Sequence, residues 1–338
     1  MKKKILWILM ILFLISPVLI SAEDLVLPQG LYARFSTNKG DLLFLLNYER
    51  LPRTVGNFVA LAEGRMDTGE TSGPYYTNQD FFREIKGYAL FLGDPTGTGD
   101  GGVDYTFPRE KGALLSTGTP GSLVMMSNGG EDHGSQLMIM ISGDPFLDRK
   151  YTAFGQLQSG EKTLSKLKRG DTVNSVSIIR VGSKAEAFRP DADSVNKLIR
   201  EARIEERQIF AEEHPDVAAY LETMGDDVKK SETGIYYSIT QAGEGAKPRP
   251  GSTVRMHYSG RLLNGQEFDS SYRRGETFQF TIGVDGVIPG WVETAISMQT
   301  GEKRTIILPP ELAYGKNGYG PIPPDSWLVF DIELVDFQ

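Results

Sequence analysis

The sequence predicts a mainly β protein with short helices, built as two β domains joined by a charged helical stretch. Three observations carry the prediction. At roughly 100 to 200 residues per domain, a chain of 338 residues holds about two domains. Glycine supplies 38 of those residues, a share above the usual roughly 7%, which calls for many turns and hence many strand ends. Short apolar runs bounded by Gly, Pro or Asp lie on both sides of residues 183–228, where glycine almost vanishes and Glu, Arg, Lys and Ala dominate.

The chain opens with Lys2, Lys3 and Lys4, then an apolar run from Ile5 to Ile20 broken by Ser16 and Pro17, then Ser21 and Ala22. A basic start, an apolar middle and small residues at the end form the pattern of a secretory signal peptide over 1–22, cleaved after Ala22. Left uncleaved, the run comes close to the roughly 17 residues that span a bilayer, and would anchor the chain to a membrane.

The first domain is expected over 28–184. Leu31 to Ser36 and Gly40 to Leu46 alternate apolar and polar residues around Asn38-Lys39-Gly40, a hairpin signal. After Pro52, residues Val55, Phe58, Val59 and Ala62 fall at helical spacing and Gly64 stops the helix. The runs 122–126, 137–141, 152–156 and 173–181 read as closely spaced strands, which suggests a barrel. A helical charged linker is expected over 185–230. Val195, Leu198, Ile199 and Ala202 make one stripe, and Val217, Ala218, Leu221 and Met224 a second one after Pro215. It reads as a semi-rigid spacer exposed to solvent, with an arm for dimerisation or substrate capture as the other reading. In the second domain, 231–338, strands are expected over 235–241, 253–262, 277–282, 303–308 and 326–337, with one short helix from Trp291 to Met298. A curved sheet wrapped on one helix fits that order.

Composition removes several classes of function. The chain has no cysteine, so disulfides, thiol nucleophiles and cysteine-held metals are excluded. Its three histidines, His133, His214 and His257, are far apart in sequence, which argues against a histidine metal site or a Ser/His/Asp triad. A formal charge of −8, with no basic stretch outside the first residues, argues against nucleic acid as a partner. Gly97, Gly99 and Gly102 satisfy the letters of a dinucleotide fingerprint, but no helix follows to hold a pyrophosphate. Asp94 and Asp100 suggest a calcium loop, but Tyr105 stands where the closing Glu belongs. Both are read as a glycine-rich surface loop, and no cofactor and no metal are expected.

Two sets of motifs carry the functional reading. Phe81-Phe82-Arg83-Glu84-Ile85, Lys86-Gly87-Tyr88-Ala89-Leu90-Phe91-Leu92-Gly93-Asp94, Gly134-Ser135-Gln136-Leu137-Met138-Ile139 and 146–155, together with the helix from Pro52, resemble the cyclophilin family in order and spacing over about Leu31 to Val181. The resemblance implies an eight-stranded barrel that isomerises X-Pro bonds without a cofactor. It assigns Arg83 as the catalytic arginine and Gln136 as the contact to the substrate backbone. Tyr88, Met125, Met138, Phe146, Leu147 and Tyr151 are assigned to the proline pocket. The chain departs from the family at Phe91, where a Gln usually stands beside the arginine, and at Met138, Phe146 and Tyr151, where Phe, Trp and His are usual. Altered specificity or reduced turnover follows, and tight cyclosporin binding is not expected.

The second set is Val254-Arg255-Met256-His257-Tyr258-Ser259-Gly260, Gly265-Gln266-Glu267-Phe268-Asp269-Ser270-Ser271, Val287-Ile288-Pro289-Gly290-Trp291, Leu312-Ala313-Tyr314-Gly315, Ile322-Pro323-Pro324 and the closing 328–334. It resembles the FK506-binding-protein (FKBP) family over about Thr233 to Gln338, which implies a half-open β-sheet around a helix. By that resemblance Tyr258, Phe268, Asp269, Phe278, Val287, Ile288, Trp291, Tyr314, Ile322 and Phe330 line the pocket. Tyr258, Phe268, Asp269 and Tyr314 carry the catalytic roles. Asp269 either takes part directly or orients Tyr258 or a nearby arginine. His257, alternating with Tyr258 along the strand, is read as structural.

The expected protein is therefore an exported tandem peptidyl-prolyl cis-trans isomerase and folding helper. Its expected partners are proline-containing unfolded or partly folded chains, and an FK506-type macrolide at the second domain. The periplasm is the expected destination, with extracellular release or membrane anchoring by an uncleaved leader as alternatives. The rival function is a proline-peptide-binding chaperone whose first domain turns over weakly or not at all.

Overall fold

Residues 30–181 close a β-sheet on itself. In the computed structural model, which describes residues 27–69, 73–110, 115–127, 130–148, 150–225 and 227–338, the first domain runs β1 (Gly30–Thr37), β2 (Gly40–Leu46), α1 (Pro52–Ala62), β3 (Gln79–Asp80), β4 (Arg83–Ile85), β5 (Ala89–Leu92), β6 (Thr106–Pro108), β7 (Ser122–Ser127), β8 (Glu131–Met140), β9 (Thr152–Ser159), α2 (Glu161–Leu164) and β10 (Thr172–Val181). The expected leader, 1–22, lies outside the described residues. Three of the ten strands are pieces of two or three residues, which is why the count exceeds the eight expected.

The sheet order β3-β10-β1-β2-β9-β7-β8-β5-β4 begins and ends on strands that are two residues apart in the chain. Closure is made there. The Phe81 N–H donates to the Asp171 carbonyl on one side of the seam (2.9 Å), and the Phe82 N–H to the Phe91 carbonyl on the other (3.0 Å). Helix α1 plugs the interior. Pro52 sits in its first turn, and the Glu110 carboxylate accepts the N–H groups of Arg53 (3.0 Å) and Thr54 (2.7 Å), which the helix itself leaves unpaired. Phe58 then packs between Phe35, Phe154 and Tyr76, with ring centroids 6.0, 5.3 and 5.4 Å away.

The linker forms α3 (Ser183–Ala187), α4 (Ala192–Glu213) and α5 (Pro215–Met224). Its stripes fall where the periodicity places them, but it is not a spacer surrounded by solvent. Ala185, Val195 and Ile199 belong to the core of the first domain, and Arg203 donates to the Thr106 carbonyl (2.9 Å). Farther along, Val217 is buried with Ile307 and Val329 of the second domain, where Phe210, Tyr220, Leu221, Met224, Tyr236 and Trp327 close over them. The apolar stripes bury at both ends because a helix of this composition gains most of its stability from packing rather than propensity.

The second domain runs β11 (Lys229–Lys230), β12 (Tyr236–Gln241), β13 (Thr253–Leu262), β14 (Glu267–Ser270), α6 (Ser271–Arg274), β15 (Phe278–Thr281), α7 (Pro289–Ser297), β16 (Lys303–Leu308) and β17 (Leu328–Phe337). Strand β13 is its hub. It pairs with β17 along its whole length, with β15 through Thr253–Met256 and with β14 through Ser259–Arg261. Its partner on the second edge therefore changes midway, which curls the sheet around α7. Trp291 and Ala295 of α7 fill the concave face with Val254, Met256, Ile306 and Leu334.

Candidate active sites

On the outside of the barrel, the register builds a row of side chains across five strands. Arg83 is opposite Phe91, Phe91 opposite Met138, Met138 opposite Val124 and Val124 opposite Ala153. Alternation along each strand sends Leu90, Leu92, Leu123, Leu137, Ile139 and Phe154 inward to the core. The outward set, Phe91, Met138, Val124 and Ala153 with Ala89 and Met140, forms a separate apolar cluster, walled by Phe82, Tyr88, Leu115, Met126, Leu147 and Tyr151. A cation thus stands at one end of a greasy face. The Arg83 guanidinium carbon lies 5.0 Å from the Phe91 ring centroid, and among the described residues this guanidinium makes no hydrogen bond or ion pair.

Two of the expected pocket residues lie elsewhere. Met125 is fully buried in the barrel core, because it alternates with Val124 and Met126; Met126 takes the place on the pocket wall, as the two-residue period from Val124 would have indicated. Phe146 is 88% exposed on a single helical turn, Pro145–Leu147, and joins none of the apolar clusters among the described residues. Its neighbour Leu147 reaches the cluster. Gln136 shares the outward face with Met138, but its amide donates to the carbonyls of Gly99 (2.9 Å) and Gly101 (2.7 Å). It ties down the glycine-rich loop, while Asp94 holds the same loop from within by accepting the N–H groups of Thr96 (2.8 Å) and Gly99 (2.5 Å). A Cβ on Gly101 would come within 2.1 Å of Asp94 Oδ1. Burial alone would push Asp94 up, but these bonds outweigh it and hold the carboxyl below the usual range.

Sequence reasoning missed Asp144. Its Oδ2 accepts the Tyr88 hydroxyl (2.6 Å) and its Oδ1 the Phe146 N–H (3.0 Å), so one carboxylate fixes two sides of the pocket mouth. That bond, chiefly, pushes the Tyr88 phenol up to about 12. The signal was available in Asp144-Pro145, an N-cap residue followed by a proline in the first turn.

The second site is a cup of aromatic edges. Trp291 forms its floor, with Tyr258, Phe278 and Phe330 at 4.7, 5.4 and 5.5 Å, each within about 11° of perpendicular. Phe268 meets Phe330 edge-on at 5.6 Å. Gly260 makes this possible: a Cβ there would lie 2.7 Å from both Phe268 and Phe330. Val287, Ile288, Ile322 and Tyr314 complete the wall. The expected apolar pocket residues of this domain therefore belong to one cluster, with Asp269 joined to it through Tyr258.

At the rim, Asp269 accepts the hydroxyl of Tyr258 and a guanidinium N–H of Arg274, and Arg274 also donates to the Tyr258 oxygen (2.9 Å). Burial would raise Asp269, but the bonds from Tyr258 and Arg274 and the arginine's charge hold it below the usual carboxylate range. Asp269 is thus tied to both Tyr258 and Arg274, the contacts that an orienting role requires. Tyr314 stacks on Tyr319 at 5.2 Å, and its hydroxyl has no hydrogen-bond partner among the described residues. Burial raises its phenol, so it is a neutral donor facing an apolar cup. His257 points to the other face, stacked on Tyr272 at 4.6 Å.

Comparison with known proteins matches both halves. The model of the FKBP-type peptidyl-prolyl cis-trans isomerases covers residues 244–335, and that of the cyclophilin-type peptidyl-prolyl cis-trans isomerases covers residues 32–183. The FKBP-type 22 kDa peptidyl-prolyl cis-trans isomerase of Escherichia coli K12 is 41% identical over 151 residues, which are 43% of this chain and 72% of that protein. FK506-binding protein 2 of Yarrowia lipolytica is 47% identical over 114 residues, 33% of this chain and 79% of that one. The FKBP-type isomerase FkpA of Escherichia coli K12 is 50% identical over 111 residues, and the match spans only 40% of its length.

Proposed function

Because this chain belongs to the FKBP-type peptidyl-prolyl cis-trans isomerases and carries a cyclophilin-type domain in the same polypeptide, we propose that it isomerises X-Pro bonds at two unrelated sites. The observation that carries the reading is the Trp291-floored aromatic cup with the Tyr314 phenol at its edge. The X-Pro barrier, near 20 kcal/mol, comes from partial double-bond character in the C–N bond. No bond has to break. In the second site, the aromatic walls hold the proline ring, and an apolar cup favours the twisted amide, whose dipole is smaller than that of the planar ground state. Tyr314 donates to the substrate carbonyl, and Asp269 with Arg274 fixes the ring of Tyr258. In the first site the apolar face of Phe91, Met138 and Val124 receives the ring, while Arg83 donates towards the prolyl nitrogen and localises its lone pair.

The division into 28–184, 185–230 and 231–338 gives each site its own domain, with a helical arm between them. The three lysines and the apolar run before Ala22 support export, with the periplasm as destination and unfolded or partly folded exported chains as clients. An FK506-type macrolide would occupy the second cup. Phe91, and a Gln136 amide already engaged by the glycine loop, favour a second reading for the first domain alone, that it holds proline peptides with little turnover. Refolding separates the two. For a protein whose slow phase is limited by X-Pro isomerisation, the full-length chain with Phe268→Ala suppressing the second site should accelerate that phase at substoichiometric amounts. An effect that needs stoichiometric amounts would mean binding without turnover.

A further inference from the structure

Phe91 faces Arg83 directly across the β4–β5 pair, and the guanidinium lies 5.0 Å above its ring. The ring is not free to follow the arginine: it is 4% exposed, joined to Met138 in the next strand and flanked by Phe82 at 6.3 Å. Arg83 has no other partner among the described residues. An amide side chain in this place would fix the arginine by accepting one or two of its N–H groups. An aromatic ring attracts the cation through its face and accepts none of its in-plane donors.

We propose that Phe91 is a positioning residue of the first domain, whose ring face holds Arg83 by cation–π attraction and leaves all of its N–H donors for the prolyl amide. The inference rests on the isomerase reading of that domain. It makes the departure from the usual Gln a different way of holding the same group rather than a lesion. The attraction should matter most when the substrate displaces water from the guanidinium, since cation–π contacts strengthen on desolvation. Its effect therefore belongs in kcat more than in KM.

The test uses the full-length chain with Phe268→Ala to suppress the second site, and replaces Phe91 with mono-, di- and trifluorinated phenylalanine, Tyr and Leu. Fluorine drains the ring's negative face with little change of shape. The expected result is a stepwise fall in kcat for X-Pro exchange with fluorine number, about 3- to 30-fold in total, larger than any accompanying rise in KM, with Tyr above Leu and Leu as low as the trifluorinated ring. A flat fluorine series in a chain whose activity Arg83→Ala abolishes would overturn the inference and leave the isomerase reading intact. Absence of Arg83-dependent turnover in the parent would overturn both.

Discussion

Gly260 and Asp132 show how much a single position decides. Gly260 is the residue across which Phe268 and Phe330 meet, and a methyl group there would lie 2.7 Å from each. Gly260→Ala should cost about 1–3 kcal/mol by overpacking and reduce turnover of the second site, because the rings that yield are pocket walls; thermal melting and peptide exchange check the two effects. Asp132 is wholly buried. Its Oδ2 accepts the Thr152 hydroxyl (2.7 Å) and its Oδ1 has no partner among the described residues, so burial pushes its carboxyl up to about 7. A raised acid binds its proton more tightly when folded. Stability from this group is thus full below about pH 4 and lost as pH rises to 7, on the order of 4 kcal/mol in all. Asp132→Asn removes the titration, so the variant should gain on the parent across that interval in melts from pH 4 to 8, and parallel pH curves would contradict the assignment. Sequence could show neither point, since both depend on what non-local strands bring near. Met125 is the instructive case in the other direction: alternation along β7 was readable, and it indicates Met126 for the pocket.

At the scale of elements, the arm packs on both domains. Its two stripes, Val195 to Ala202 and Val217 to Met224, were legible as helical periodicity, but the walls they meet were not, because those walls lie in different domains. Val217 is 2% exposed against Ile307 and Val329, and Phe210 packs at an angle against Tyr236 (5.5 Å) and edge-on against Trp327 (6.0 Å). Val217→Asp would bury an unpaired carboxylate and should destabilise the second domain by more than about 2 kcal/mol, lowering its calorimetric transition while leaving that of the first in place. An unchanged transition would mean that α5 is a passive cover. The strands were easier than the arm. Hairpins and short apolar runs announce themselves locally, whereas Asp144, which joins Tyr88 to the Pro145 turn, acts between segments 56 residues apart in the chain.

At the scale of the whole molecule, the proposed function implies that a proline peptide released by one site would meet the other at an effective concentration set by the arm, without any new contact. The motifs carried this tandem plan clearly, since residues such as Tyr258, Phe268, Trp291 and Tyr314 keep the spacing of their family. What they did not carry was the state of each group: a guanidinium held by a ring, an amide committed to a loop, a carboxylate split between a phenol and an arginine. The central claim is that both sites turn over X-Pro bonds independently. Exchange spectroscopy on one X-Pro peptide tests it most directly, with the full-length parent, Arg83→Ala, Phe268→Ala and the double variant. Each single change should remove one share of the catalysed rate, and the double variant should fall to the uncatalysed rate. Full parental activity in Arg83→Ala, or turnover persisting in the double variant, would contradict it.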